Sequence, residues 1–269
     1  MNEYIEKGRF ALTKIQDFAA KLLQAEATQT GIDPLTAQDS TITVQEAYQI
    51  QIENINKKVA EGQRIIGKKI GLTSDPVQKM LGVNEPDYGH LLDSMIVENG
   101  GTIDTKTMLQ PKVEGEIAFI LKKDLKGPNV TALDVIQATD YVVPALEIVD
   151  SRVQDWKIKI QDTVADNASC GLLVLGGKPT KIEDIDIELL GMVLLQNGEV
   201  ANTGVGAAVQ GSPATSIAWL ANRLADYDIT LKAGEIILSG ALSGMVNAEA
   251  GNNFTARFAH IGQVSVNFK

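Results

Sequence analysis

Lys112-Val-Glu-Gly-Glu-Ile-Ala-Phe-Ile-Leu121 is the stretch on which the reading of this chain turns. Its branched and aromatic residues predict a β-strand. Strand side chains alternate between faces, so Glu114 and Glu116 share a face with Ala118 and Ile120. Two carboxylates on one apolar face repel each other and lose hydration, a cost that a positive partner must offset. A solvated face with lysines pairing the acids is the ordinary reading of a single Glu-x-Glu, although Ala118 and Ile120 make a poor solvated face. The other reading is a hard divalent cation, Mg²⁺ or Mn²⁺, which prefers oxygen ligands. A second apolar run, Tyr141-Val-Val-Pro-Ala-Leu-Glu-Ile-Val149, offers Glu147 as a third ligand. Zinc is disfavoured, because Cys170, His90 and His260 show no ligand spacing.

On the N-terminal side of this strand the pattern is helical. Ile15, Phe18, Ala19, Leu22 and Leu23 form one apolar stripe, broken by Gly31-Ile-Asp-Pro34. Thr43-Val-Gln-Glu46 is a capping box that opens a second helix, which Gly62 ends. A strand is expected over residues 65–73, then a short helix capped by Ser74 or Asp75, with Pro76 in its first turn and Gly82 as its stop. Strand character dominates afterwards, with Asn197-Gly198 as a two-residue hairpin turn. One more helix starts at Ser212-Pro213. Strands and helices do not alternate regularly, which argues against a doubly wound parallel sheet. The expected fold class is α+β: a helical N-terminal region, residues 1–64, and a mixed or mostly antiparallel β-rich body, residues 65–269.

With 269 residues the chain can bury a sizeable core. A formal charge of −10 argues against nucleic acid and anionic membrane surfaces as partners. One cysteine rules out an internal disulfide and fits a cytoplasmic location. The N-terminus is too polar for a signal peptide, and no apolar run is long enough for a membrane helix.

Several other positions have two readings. Lys68 and Lys69 must face opposite sides of a strand, so one is expected inside and the other in solvent. An inward Lys69 near carboxylates is either a structural ion pair or a functional cation. Asp87, in Glu85-Pro-Asp-Tyr-Gly89, is either a turn aspartate or a general acid/base on a loop. Arg152 could clamp a carboxylate or form a surface ion pair. Ser169, in Asp166-Asn-Ala-Ser-Cys-Gly171, either binds a ligand or only makes a turn. Cys170 and Trp156 read as packing residues. Gly62-x₄-Gly67-Lys68 imitates a phosphate-binding loop, but Lys69 stands where Ser or Thr is required.

Together these strings resemble the fumarylacetoacetate-hydrolase superfamily, and within it the branch of dienoate hydratases and 4-oxalocrotonate decarboxylases. The similarity covers nearly the whole chain. It rests on Gly-x-Lys-Ile-Gly-Leu-Thr73, Pro86-Asp-Tyr-Gly89, Gln110-Pro-x-x-Glu-x-Glu116, Pro144-Ala-Leu-Glu147, Asp150-Ser-Arg-x-x-Asp-Trp156 and Asp162-Thr-Val-Ala-Asp-Asn-Ala-Ser-Cys-Gly171. The resemblance implies a β-roll-like body as the catalytic domain, with Glu114, Glu116 and Glu147 holding Mg²⁺ or Mn²⁺. It implies that Lys69 acts beside the substrate and Asp87 in proton transfer, and that Ser169, Ser239 and Gly240 border the substrate, with Arg152 as a further candidate to bind its carboxylate. The implied activity is metal-dependent hydration of 2-hydroxypenta-2,4-dienoate to 4-hydroxy-2-oxopentanoate in meta-cleavage degradation of aromatic compounds. Decarboxylation of 4-oxalocrotonate and a non-catalytic scaffold role are the alternatives. Asp87 favours the hydratase. The branch also implies a homo-oligomer that associates with a partner enzyme of its pathway.

Overall fold

The computed structural model of the chain describes residues 2–74, 78–79, 82–83 and 85–269, with side chains from Thr13 onward in the first helix. The short helix expected between Ser74 and Gly82 falls largely on residues outside that description.

Three helices lead the chain: α1 (Asn2–Thr28), α2 (Leu35–Gln38) and α3 (Val44–Ala60). Ile15, Phe18, Ala19 and Leu22 are buried as the stripe requires, while Leu23 stays at the rim. The capping box forms at α3: Thr43 Oγ1 accepts from the Glu46 amide, and the Glu46 carboxylate accepts from the Thr43 amide. Such a cap stabilises a helix by about 1 kcal/mol.

The larger sheet contains β1 (Ile65–Gly71), β2 (Asp87–Leu92), β3 (Ile96–Val97), β5 (Lys112–Leu121), β6 (Thr139–Val149), β7 (Cys170–Leu175) and β10 (Ile236–Ala241). Their order is β2-β1-β10-β5-β6-β7-β3, and β11 (Val246–Asn247) adds to β5. Its β1–β10 and β3–β7 pairs are parallel and the rest antiparallel. Strands β2 and β7, far apart in that order, touch, so the sheet curls into a half-barrel. The smaller sheet joins β4 (Thr102–Ile103), β8 (Gly191–Gln196), β9 (Glu199–Val205), β12 (Asn253–Phe258) and β13 (Gly262–Phe268) in the order β4-β13-β12-β8-β9. The Asn197-Gly198 hairpin links β8 to β9 with positive φ at both residues, 54° and 84°, as the turn type demands.

The two faces of β5 have different fates. Val113, Ile117, Phe119 and Leu121 point outward into the main core, which the smaller sheet and α6 (Pro213–Ala225) complete. Gly115 lies on that outer face, where an added Cβ would come within 3.1 Å of Met192 on β8. The glycine between the two glutamates therefore lets the sheets approach. Glu114, Glu116 and Ala118 point into the half-barrel, with Ala118 packed among Leu91, Val143, Ala145, Leu173 and Leu238.

Three elements differ from the sequence expectation. Asp87 opens strand β2, whose six residues are all buried, rather than sitting in a turn. Helix α4 (Ala132–Ala138) follows an unnoticed capping box, Thr131 with Asp134, and helix α5 (Ile160–Ala165) is too short to show a period. Among the described residues no helix is long and apolar enough to cross a membrane.

Candidate metal centre and active site

Strand register brings the glutamates together. Glu114 on β5 lies directly opposite Glu147 on β6, and Glu116 opposite Ala145. One carboxylate oxygen from each glutamate lies within 4.8 Å of the others. Two oxygens on opposite sides of a Mg²⁺ ion are about 4.2 Å apart and around Ca²⁺ about 5 Å, so one ion spans this set with little movement. Glu116 and Glu147 are fully buried, and Glu114 keeps some access to solvent.

Their electrostatics are unfavourable without a cation. Burial first, then repulsion from Glu147, pushes the Glu114 carboxyl up to about 8. Burial and the neighbouring acids push Glu116 well up, and burial raises Glu147 against the opposing pull of Lys69. Glu116 Oε2 accepts the Gly240 amide at 2.9 Å, but Glu116 Oε1 and both oxygens of Glu147 have no hydrogen-bond partner. Buried carboxylate oxygens left in this way call for a ligand. An all-oxygen set of three acids fits a hard divalent cation, and no other metal-competent cluster of this kind occurs among the described residues.

Lys69 and Asp87 stand beside the trio. Lys69 Nζ lies 3.4 Å from Glu147 Oε1 and 3.9 Å from Asp87 Oδ1, and it donates to the Ala168 carbonyl at 3.1 Å. Burial opposes its charge, but attraction to Glu147 and then Asp87 outweighs this and holds its pKa above the ordinary lysine value. Asp87 Oδ2 accepts from the Thr163 hydroxyl at 2.6 Å, whereas Oδ1 has no hydrogen-bond partner. Gly71 makes room for both groups, and Gly89 makes room for Asn167. Gly89 pairs with Lys69 and Gly71 with Asp87 across β1 and β2. An added Cβ at Gly71 would come within 2.5 Å of Asp87 Oδ1 and 2.8 Å of Lys69 Nζ.

The carbonyl that receives Lys69 sits in an unusual turn. Asn167, Ala168 and Ser169 all have left-handed backbones, with φ of 54°, 51° and 52°. Such conformations cost of order 1 kcal/mol or more each for non-glycine residues and need surrounding support. Asn167 supplies some of it by exchanging two hydrogen bonds with the backbone of His90. Arg152 braces the residues flanking the turn: it is buried, with Nε 2.5 Å from Asp166 Oδ1 and its other nitrogens on the carbonyls of Asp150, Asp166 and Cys170. The carboxylate that Arg152 clamps is thus that of Asp166.

The remaining positions singled out by sequence sort themselves by partner. The Ser239 hydroxyl donates to the Ile117 carbonyl. The Ser169 hydroxyl has a 3.5 Å contact with Asp166. Gly240, with φ of 109°, has no room for a Cβ against Thr73. Only one of the two lysines is expected inside, yet Lys68 is also buried, on the opposite face, and pairs with Glu235 at 2.5 Å. His90 also faces away from Asp87; burial pushes its pKa down to about 3, and Nδ1 meets Gln51 Oε1 at 3.0 Å. Sequence reasoning missed Thr163, the Ala168 carbonyl and the paired glycines. Only the glycine alternation in Lys69-Ile-Gly71 and Asp87-Tyr-Gly89 could have signalled them.

Comparison with known proteins gives the family. The profile described as fumarylacetoacetate (FAA) hydrolase, C-terminal, matches residues 53–269. The chain is 48% identical over 256 residues to a 2-hydroxyhexa-2,4-dienoate hydratase of Comamonas testosteroni, covering 94% of this chain and 97% of the relative. It is 50% identical over 218 residues to a 2-hydroxypent-2,4-dienoate hydratase of Pseudomonas putida, covering 81% and 98%. Among solved structures, 4-oxalocrotonate decarboxylase from Pseudomonas putida G7, complexed with magnesium and adipate, superposes with a TM-score of 0.93 at 38% identity, covering 96% and 98%. With its half-barrel and acid trio, the chain belongs to the fumarylacetoacetate hydrolase family, in the group of dienoate hydratases and 4-oxalocrotonate decarboxylase.

Proposed function

We propose that this protein is a hydro-lyase that adds water to 2-hydroxypenta-2,4-dienoate, giving 4-hydroxy-2-oxopentanoate, in the breakdown of aromatic compounds. The observation that carries the reading is the meeting of three glutamates, two of them fully buried with partnerless oxygens, beside the Lys69–Asp87 pair. Glu114, Glu116 and Glu147 would hold Mg²⁺ or Mn²⁺. A divalent cation there would orient the substrate's carboxylate and C2 oxygen and stabilise negative charge on that oxygen.

The chain's own groups do the rest. Lys69, kept charged by Glu147 and Asp87, places a fixed positive charge beside the acid end of the substrate. The enol proton leaves O2 and a proton arrives at C5, which gives the conjugated 2-oxo-3-enoate. Water then adds: Asp87, through Oδ1, takes a proton from water as the water oxygen bonds to C4, and returns that proton to C3. Ser169, beside the carbonyl that holds Lys69, is the proposed polar contact for the substrate's acid end, with Gly240 at the opposite edge. Arg152 and Ser239 support the walls. The proposed working form is a homo-oligomer in the cytoplasm.

The test is a direct assay. With Mg²⁺, the dienoate's ultraviolet absorbance should decay without release of CO₂, and Glu116→Gln should stop it while leaving the fold intact. Near-normal turnover of Glu116→Gln in the presence of chelator would remove the mechanism. The structural likeness to 4-oxalocrotonate decarboxylase sustains a second reading, for which CO₂ release from 4-oxalocrotonate would be decisive.

A further inference from the structure

We infer that Thr163 is a positioning residue that aims Asp87, fixing Oδ2 so that Oδ1 alone exchanges protons with the substrate; the inference rests on the proton-transfer role proposed for Asp87. Thr163 lies on α5 and is buried, as is Asp87. A threonine inside a helix commonly turns its hydroxyl back to the carbonyl one turn earlier. Here the Thr163 hydroxyl instead donates to Asp87 Oδ2 at 2.6 Å, the short distance typical of a hydroxyl on a carboxylate. Asp87 Oδ1 is left without a hydrogen bond, on the side of Lys69. A carboxylate with one oxygen tied and the other free has a defined proton-exchanging atom. An untied carboxylate can rotate, and its two oxygens become equivalent.

The helix that carries Thr163 is itself held in place. Asp162 accepts from the backbone and hydroxyl of Thr36 at 2.9 and 2.8 Å. The side-chain amide of Gln51 donates to both the Val164 and Tyr88 carbonyls, at 2.6 and 2.9 Å. Gln51 thereby joins the residue after Thr163 to the residue after Asp87. The spacing between α5 and β2 is set by this backbone bridge, and the Thr163 hydroxyl acts across a fixed gap. Neither the glutamate trio nor Lys69 makes this bond, so its loss should leave metal and substrate binding in place.

The test compares Thr163→Val and Thr163→Ser with the unaltered protein, all loaded with Mg²⁺. On 2-hydroxypenta-2,4-dienoate, Thr163→Val should lose kcat on the order of 10²-fold, the usual penalty for a misplaced catalytic group. KM should stay within about twofold and the melting temperature close to that of the parent, and Thr163→Ser should recover most of the rate. A second readout follows exchange of the C3 hydrogens of 2-oxopentanoate with D₂O by NMR, which needs proton transfer but not hydration. If the unaltered protein fails to hydrate the dienoate yet shows exchange that falls in Thr163→Val and returns in Thr163→Ser, the hydratase reading fails and the role of Thr163 stands. The inference is overturned if Thr163→Val keeps its exchange rate, if Thr163→Ser is as impaired as Thr163→Val, or if the unaltered protein catalyses no exchange.

Discussion

Lys68 and Lys69 are neighbours on β1, both are buried, and they face opposite ways. Lys68 meets one carboxylate, Glu235, at 2.5 Å, in a pair whose other oxygen is also bonded, to the Lys232 amide. Lys69 meets two carboxylates at longer range, 3.4 and 3.9 Å, each with at least one oxygen that accepts no hydrogen bond. The first arrangement is closed and the second is open. A closed pair only stabilises; an open one leaves charge and lone pairs for something that arrives. The contrast separates structure from function more sharply than burial does, because burial is the same for both lysines.

Four experiments can break or sharpen this contrast. The largest effect is expected from Lys69→Met, with kcat down about 10³-fold, the scale for losing a charge that stabilises a transition state. A drop under tenfold would put Lys69 on the structural side with Lys68. Next is Lys68→Met, expected to cost about 3 kcal/mol of stability by stranding Glu235, with activity per folded molecule unchanged. Adding Glu235→Leu should restore most of it in a denaturant melt. A loss of specific activity instead would blur the two roles.

The third experiment removes metal. Glu114 titrates near 8 in the fold against an ordinary value near 4.5. A carboxyl raised in this way favours the folded state fully below its unfolded pKa, and the benefit disappears as pH rises through the folded one. Chelator-treated protein should therefore melt lower by several degrees as pH goes from 5 to 8, and Mg²⁺ should raise the melting temperature most at pH 8. A flat profile would mean that the trio does not carry the strain assigned to it. The smallest effect is expected from Gly71→Ala. Its new methyl would crowd the ends of Asp87 and Lys69, which are flexible enough to shift, so kcat should fall about tenfold with little change in melting temperature. Unchanged kinetics would show that the Lys69–Asp87 spacing is not tightly set.

Much of this was legible in the sequence because it depended on local rules. The Glu-Gly-Glu strand announced its inward acids by period, Asn197-Gly198 its hairpin and Thr43 its helix cap. What escaped depended on partners far along the chain. One of Lys68 and Lys69 is expected in solvent if only one face of the strand lies inside, but β1 is covered on both sides and Glu235 meets Lys68 on the second. Asp87 read as a turn because Pro86, Asp87 and Gly89 are all poor strand formers, yet Gly89 is needed where the backbone of Asn167 presses to within 2.5 Å of where its Cβ would be. Arg152 was read as a clamp without a stated partner, and only the fold supplies Asp166.

The bare backbone at Gly71 has one more consequence. This position forms a notch in the sheet, and the ammonium and carboxyl groups of Lys69 and Asp87 rest in it. Bulk added at Gly71 would spread the two groups apart before it touched a substrate. Anyone wishing to reshape the protein for larger molecules should therefore leave this wall alone and carve the far side.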